Sequence, residues 1–309
     1  MAEKIGKIQE NPDNYKVSFL YYNRARDAMF DVVSELCKMG YTDIFIPGYI
    51  GWSPKEGSGI FDPLEAIPNL CRHYYRMDRE LCIDKDSVKE QLKERSIFLV
   101  VNYFGFRDPQ IGEIMDFAHG KDCVVMEDNA HGFYTYFCHG SVGADLTFFS
   151  LHKMFPFAKG GGLIIENGQY SGLHSITGQV DFDPFKYDYN GIAKRRLENY
   201  RKLLALSKGK EAFFSPLRRE VFLADNIPQT FPLLIHQGAR NQIYQIMNDA
   251  GFGVVSLYHT MIEELRTDEH RDALWLSQRI MNLPVHQDVD STQYDVLMNR
   301  LIEACEETK

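Results

Sequence analysis

Five short runs of largely apolar or aromatic residues, IFIP, HYYRM, IFLVVN, CVVME and LTFFS, recur along the first half of this 309-residue chain. Each is too short for a buried helix and long enough for a buried strand. Patterns with helical spacing lie around and between them: ARDAMFDVVSELCKMG, which stops at Gly40, and PQIGEIMDFAHG, opened by Pro109 and closed by Gly120. Strands that lack polar alternation must be covered on both faces. The order therefore predicts an α/β fold in which a mostly parallel sheet lies between layers of helices. In such sheets ligands collect beyond the carboxyl ends of the strands.

The second half changes character. Residues 171–190 are rich in Gly, Ser, Asp, Pro and Tyr without clear periodicity, and a charged helix, GIAKRRLENYRKLLALS, follows as a connector. After it come a strand-like FPLLIH, a helix QIYQIMNDAG, a strand GVVSL, a helix around HRDALWLSQRIM and a last helix STQYDVLMNRLIEAC. The expected organisation is a large domain over 1–208, ending in a connector helix from about residue 190, and a smaller carboxyl-terminal α/β domain over 209–309.

Composition narrows the function. The chain is 44% hydrophobic and 25% charged, enough for a substantial core. Its net charge of −9, with no basic run longer than KRR at 194–196, argues against a nucleic-acid partner and for small-molecule ligands. The six cysteines lack C-x-x-C spacing, and the Cys138-His139 pair has no matching pair nearby, so neither a disulfide framework nor a metal site is expected. The amino-terminal MAEKIGKIQENPDNYK has no apolar signal core, and no apolar stretch approaches a membrane span, so a cytoplasmic protein is the expectation.

Lys153 raises the chemical question. It stands in TFFSLHKMFPFAKGGG, among Phe, Leu, Met and Pro, where an ammonium group is costly unless it is paired or gives up its proton. Either it snorkels to water or it is there to react. CVVMED ends a predicted strand at Glu127 and Asp128, and LTFFS ends another at Ser150, three residues before Lys153. A lysine, an acid and a hydroxyl just past strand ends match what pyridoxal 5'-phosphate (PLP) needs from a protein: a Schiff-base amine, a partner for the pyridinium nitrogen and a phosphate contact.

The order of these motifs resembles the DegT/StrS family of PLP-dependent aminotransferases, many of which act on nucleotide-linked keto sugars. EDNAHG, GSVGADLTFFS, the lysine and GGGLIIEN carry the resemblance, together with IFIPGYIGW, IDKDSVKEQLKERSIFLVVNYFG and the carboxyl-terminal ALWLSQRIMNLPVHQDVDSTQYDVLMNRLIEA. It implies a three-layer α/β/α PLP-transferase fold of the aspartate aminotransferase superfamily, and a homodimer with shared active sites. By position, Lys153 corresponds to the Schiff-base lysine and Asp128 to the partner of the pyridinium nitrogen. His131 falls near the ring's phenolic oxygen, Ser150 at the phosphate, and Trp52 close to the ring that stacks on the cofactor. Ala25 and Arg26, in YNRARDAM, take the place of the phosphate loop at a helix amino terminus. The implied reaction moves an amino group from an amino acid, glutamate foremost, to a keto substrate.

The departures are specific. Only Leu151 and His152 separate Ser150 from Lys153, where family members usually have four residues; His152 itself reads as structural. Arg24 and Ala25 stand where small residues and Gly are usual, and the chain is shorter than typical members, which weakens the sugar-nucleotide assignment. Arg240, Tyr258 and His259 are candidate substrate contacts. Two other readings stay open: a PLP enzyme of elimination or dehydration type, and a scaffold that keeps the fold without the chemistry.

Overall fold

The computed structural model describes residues 19–170, 172 and 183–309. The amino-terminal segment read for a signal core, and most of the aperiodic stretch at 171–182, lie outside the described residues. The first part of the chain alternates strictly enough to build one large sheet. Its elements are β1 (Phe19–Tyr22), α1 (Ala25–Lys38), β2 (Asp43–Pro47), α2 (Phe61–Glu65), β3 (Cys71–Tyr75), α3 (Lys85–Gln91), β4 (Ile97–Val101), α4 (Ile111–His119), β5 (Val124–Asp128), α5 (Phe133–His139), β6 (Leu146–Ser150) and β7 (Gly161–Ile165). The strand order is β1-β7-β6-β5-β4-β2-β3. Neighbours from β3 across to β6 pair in parallel, while β7 pairs antiparallel with both β6 and β1. One strand thus opposes six.

Burial explains why the short apolar runs become central strands. Ile97, Phe98, Leu99, Val124, Val125, Met126, Leu146 and Phe148 are all fully buried, so both faces of β4, β5 and β6 are covered. The connection from β2 to β3 runs toward one edge and those from β3 through β6 run toward the other. Right-handed crossovers in opposite directions place helices on both faces, which is the three-layer arrangement expected from the sequence. The carboxyl ends of β5 and β6 then open on the same side of the sheet.

The remaining elements are α6 (Tyr189–Ser207), β8 (Phe214–Pro216), β9 (Thr230–Ile235), α7 (Arg240–Asp249), α8 (Arg271–Ser277), β10 (Ile280–Pro284) and α9 (Tyr294–Glu307). The connector helix is α6, capped by the Asp188 carboxylate, which accepts from the Gly191 N–H at 2.9 Å. Strands β10, β9 and β8 form a separate antiparallel sheet. Buried Arg196 of α6 donates to the Pro228 and Gln229 carbonyls and to Gln287, tying that helix to the entrance of β9.

Several local expectations fail. GVVSL is not a strand: it contributes only an isolated bridge from Val255 to Asn282, and Tyr258 just beyond it has φ +60°. The helix read over HRDALWLSQRIM ends at Ser277, because Ile280 and Met281 pair with Leu234 and Leu233 in β10. Apolar residues buried on both faces look alike in a helix and a strand, and only the partner strand separates them. Pro109 does not open α4, which starts at Ile111 after a turn in which Asp108 accepts from the Gln110 N–H. FLYY and FSP, unmarked by the pattern, form β1 and β8.

Candidate active site

The side chains singled out from the sequence come together at the carboxyl ends of β5 and β6, in a cleft of about 880 Å³. Asp128, His131, Ser150 and Lys153 all line it, with Ala25, Arg26 and Trp52 on the walls. Asp128 is the last residue of β5. Strand alternation sends the neighbouring Glu127 to the other face. There Glu127 is fully buried, accepts from Asn102 Nδ2 at 2.6 Å and lies 3.6 Å from Arg107 Nε. Alternation puts the two acids on opposite faces, and the packing decides which of them meets the cleft.

Asp128 is 7% exposed, and its Oδ1 accepts the Ala130 N–H at 2.7 Å. Burial pushes its carboxyl above the ordinary value, while that hydrogen bond and the Lys153 charge pull the other way. Lys153 follows Ser150 in a tight turn over Leu151–Lys153. Its side chain is reached by water through the open cleft, yet the amine is ringed by protein. That desolvation pulls the amine below its ordinary value, against the opposing charges of Asp128 and Glu56.

His131 stands beside Lys153. The Phe104 N–H donates to His131 Nδ1 at 3.2 Å, which assigns the proton of the neutral ring to Nε2. Nε2 lies 3.0 Å from Lys153 Nζ. An Nε2–H facing an amine needs that amine to offer a lone pair, so the contact itself favours unprotonated Lys153. Burial, and any charge that Lys153 carries, hold His131 well below the ordinary histidine range. Its ring is packed by Phe104, stacked at 6.0 Å, and Tyr258, edge-on at 5.9 Å.

The opposite wall is the amino end of α1, whose first N–H groups have no intrahelical acceptor. It approaches β7 closely: a Cβ on Gly161 would lie 2.3 Å from Arg24 C and 2.5 Å from Ala25 N. The Arg26 guanidinium donates to the Glu56 carbonyl at 3.0 Å, with Asp62 at 3.7 Å, and both Arg26 and Glu56 line the cleft. Trp52 is 41% exposed at the cleft, and its backbone N–H donates to the Thr260 carbonyl at 2.9 Å. Tyr258 and His259 line the same cleft, whereas Arg240 stands behind it and holds Ser256 Oγ at 2.7 Å. Tyr49, Tyr103 and Phe104, not singled out as site residues from the sequence, complete the aromatic packing behind Tyr258. Ordinary core aromatics leave no distinguishing signal in a single sequence.

The fold, with β7 antiparallel to its neighbours in the large sheet and the cleft at the strand ends, is that of the PLP-transferases. The chain is similar to the DegT/DnrJ/EryC1/StrS aminotransferase family, whose model matches residues 76–172. No curated protein matches it in sequence. Among solved structures it is similar to PseC of Helicobacter pylori, an aminotransferase in pseudoaminic acid biosynthesis, with TM-score 0.72 and 14% identity over 94% of this chain and 87% of that one. A DegT DnrJ EryC1 StrS aminotransferase from Brucella abortus gives TM-score 0.71 at 11% identity, over 93% and 86%. GDP-4-keto-6-deoxy-D-mannose-3-dehydratase from E. coli, solved with hydrated PLP, gives 0.70 at 16%, over 92% and 87%. At such identities the likeness establishes the fold. The reaction must be argued from the site.

Proposed function

We propose that this chain is a PLP-dependent aminotransferase that takes an amino group from an amino acid, glutamate foremost, and delivers it to a keto substrate, with a nucleotide-linked keto sugar as the candidate acceptor. The observation that carries the reading is Lys153 Nζ held 3.0 Å from His131 Nε2 in a cleft that Asp128 also lines. The residues fit the cofactor. A desolvated amine can attach to its aldehyde, and a buried carboxylate can face its ring nitrogen. The Gly161 close approach brings the free N–H groups of α1 to the cleft beside Ser150. Bound there, the cofactor supplies an aldehyde for amine exchange and a ring that withdraws electrons.

The protein's own part follows from the geometry. Asp128 keeps a negative charge beside the ring nitrogen and so holds a proton on it. Lys153 Nζ, once it has given up its proton, accepts one from a substrate carbon and returns it. His131 Nε2–H donates a hydrogen bond into the same space and stays neutral while doing so. The Phe104, Tyr103 and Tyr258 rings exclude water from that end. The reading includes a cytoplasmic homodimer and a cofactor-binding unit over 1–208 with a smaller unit over 209–309.

Borohydride reduction of PLP-loaded protein, followed by peptide mapping, should place a pyridoxyl group on Lys153, and glutamate should bleach the visible band. A protein that takes up no PLP supports the scaffold reading instead, and one that binds it but reacts with no amino donor is not an aminotransferase. Lys153→Ala should fold, bind PLP noncovalently and lose turnover by several orders of magnitude. Activity within tenfold of the parent, roughly one step on the scale of such losses, rejects the role of Lys153.

A further inference from the structure

The spacing Ser150-Leu151-His152-Lys153 puts a second imidazole into the cleft, and its contact is with Ser150 rather than with the lysine. Ser150 Oγ lies 3.3 Å from His152 Nδ1, both residues line the cleft, and Ser150 is 4% exposed. A serine hydroxyl has one proton to donate. If His152 Nδ1 is bare, that proton goes to the ring, and the oxygen turns only lone pairs to the cleft. If Nδ1 carries a proton, it donates to Oγ, and the hydroxyl proton is free for an anion. The hydrogen bond reverses with the state of the ring.

We propose that His152 is a positioning residue for Ser150: its charged ring donates to Ser150 Oγ, frees the hydroxyl proton toward the cleft, and so tightens the hold on an oxyanion seated between Ser150 and the start of α1. This rests on the reading above, in which a phosphate monoester occupies that end. The groups that face the ring are Lys153 and Arg24, which disfavour its charge, and Glu56 with the Gly160 backbone, which favour it. Together with desolvation they hold the free ring below its ordinary value, so the reversal falls on the acid side of neutrality. An arriving phosphate adds negative charge beside the ring and moves it toward neutral pH.

The test uses the cofactor-free full-length chain with pyridoxamine 5'-phosphate and pyridoxamine, neither of which can condense with Lys153. Their affinity ratio isolates the phosphate. Between about pH 8 and about pH 5.5 the ratio should rise at least roughly fivefold more for the parent than for His152→Asn, and His152→Arg should keep a high, flat ratio. Because the same ligands titrate in every arm, their own ionisation cancels. Parallel pH curves for parent and His152→Asn overturn the proposal while leaving the cofactor reading intact; failure of the parent to bind either ligand overturns both. Should the variants not fold, NMR titration of the His152 ring in the parent decides. Saturating inorganic phosphate must raise its midpoint, and an unmoved midpoint overturns the proposal.

Discussion

At the residue scale, the site separates two adjacent acids and two nearby histidines by what each one touches. Glu127 is fully buried against Asn102 and Arg107, whereas Asp128 lines the cleft with Lys153. Asp128→Asn should therefore retain cofactor colour but slow proton abstraction at least about a hundredfold, because a neutral amide cannot hold a proton on the ring nitrogen. Stopped-flow traces with an amino donor measure this, and near-normal rates would mean that another acid serves the ring. The sequence marked Lys153, Asp128 and Ser150 because polar groups at the ends of apolar strands are rarely accidental. It placed His131 at the ring by resemblance and read His152 as structural, but it carried no sign of their partners: the Phe104 N–H and Lys153 for one, Ser150 for the other.

At the scale of elements, the junction of β7 with the start of α1 sets the shape of the cleft. Gly161 is needed there because an added Cβ would press on backbone, Arg24 C and Ala25 N, which cannot swing aside. Gly162 differs: its added Cβ would meet the Phe19 ring, a side chain that can move. Gly161→Ala should cost about 1–3 kcal/mol of stability and weaken pyridoxamine 5'-phosphate binding, with Gly162→Ala disturbing the binding much less. Denaturant melts and ligand titrations of the pair check this; equal binding losses would show that the close approach does not shape the site. GGG was legible only as a turn before a strand. The reason for the middle glycine lies in α1, more than a hundred residues earlier.

At the scale of the molecule, folding keeps His131 from taking a proton that the unfolded chain accepts. Its folded value lies well below the ordinary 6.5, so its share of stability is whole above that pH and declines as the pH falls toward the folded value. Between the two values the loss grows by at most about 1.4 kcal/mol per pH unit for this one ring. His131→Gln should remove that part of the slope, as denaturant unfolding from neutral to mildly acidic pH would show; an unchanged slope would mean the ring titrates freely. What the sequence by itself determined was the layered α/β architecture, because apolar runs that must be covered on both faces admit few arrangements. It determined as well which residues end up at strand ends, because that follows from where each run stops. The tertiary structure alone decided which way each of them faces and what it meets. Ile280 and Met281 became strand through pairing with β9, and residues 50–52 became a wall through their bonds to 260–262. Contacts of that kind join residues far apart in the chain, and the local pattern at either end carries no record of the other.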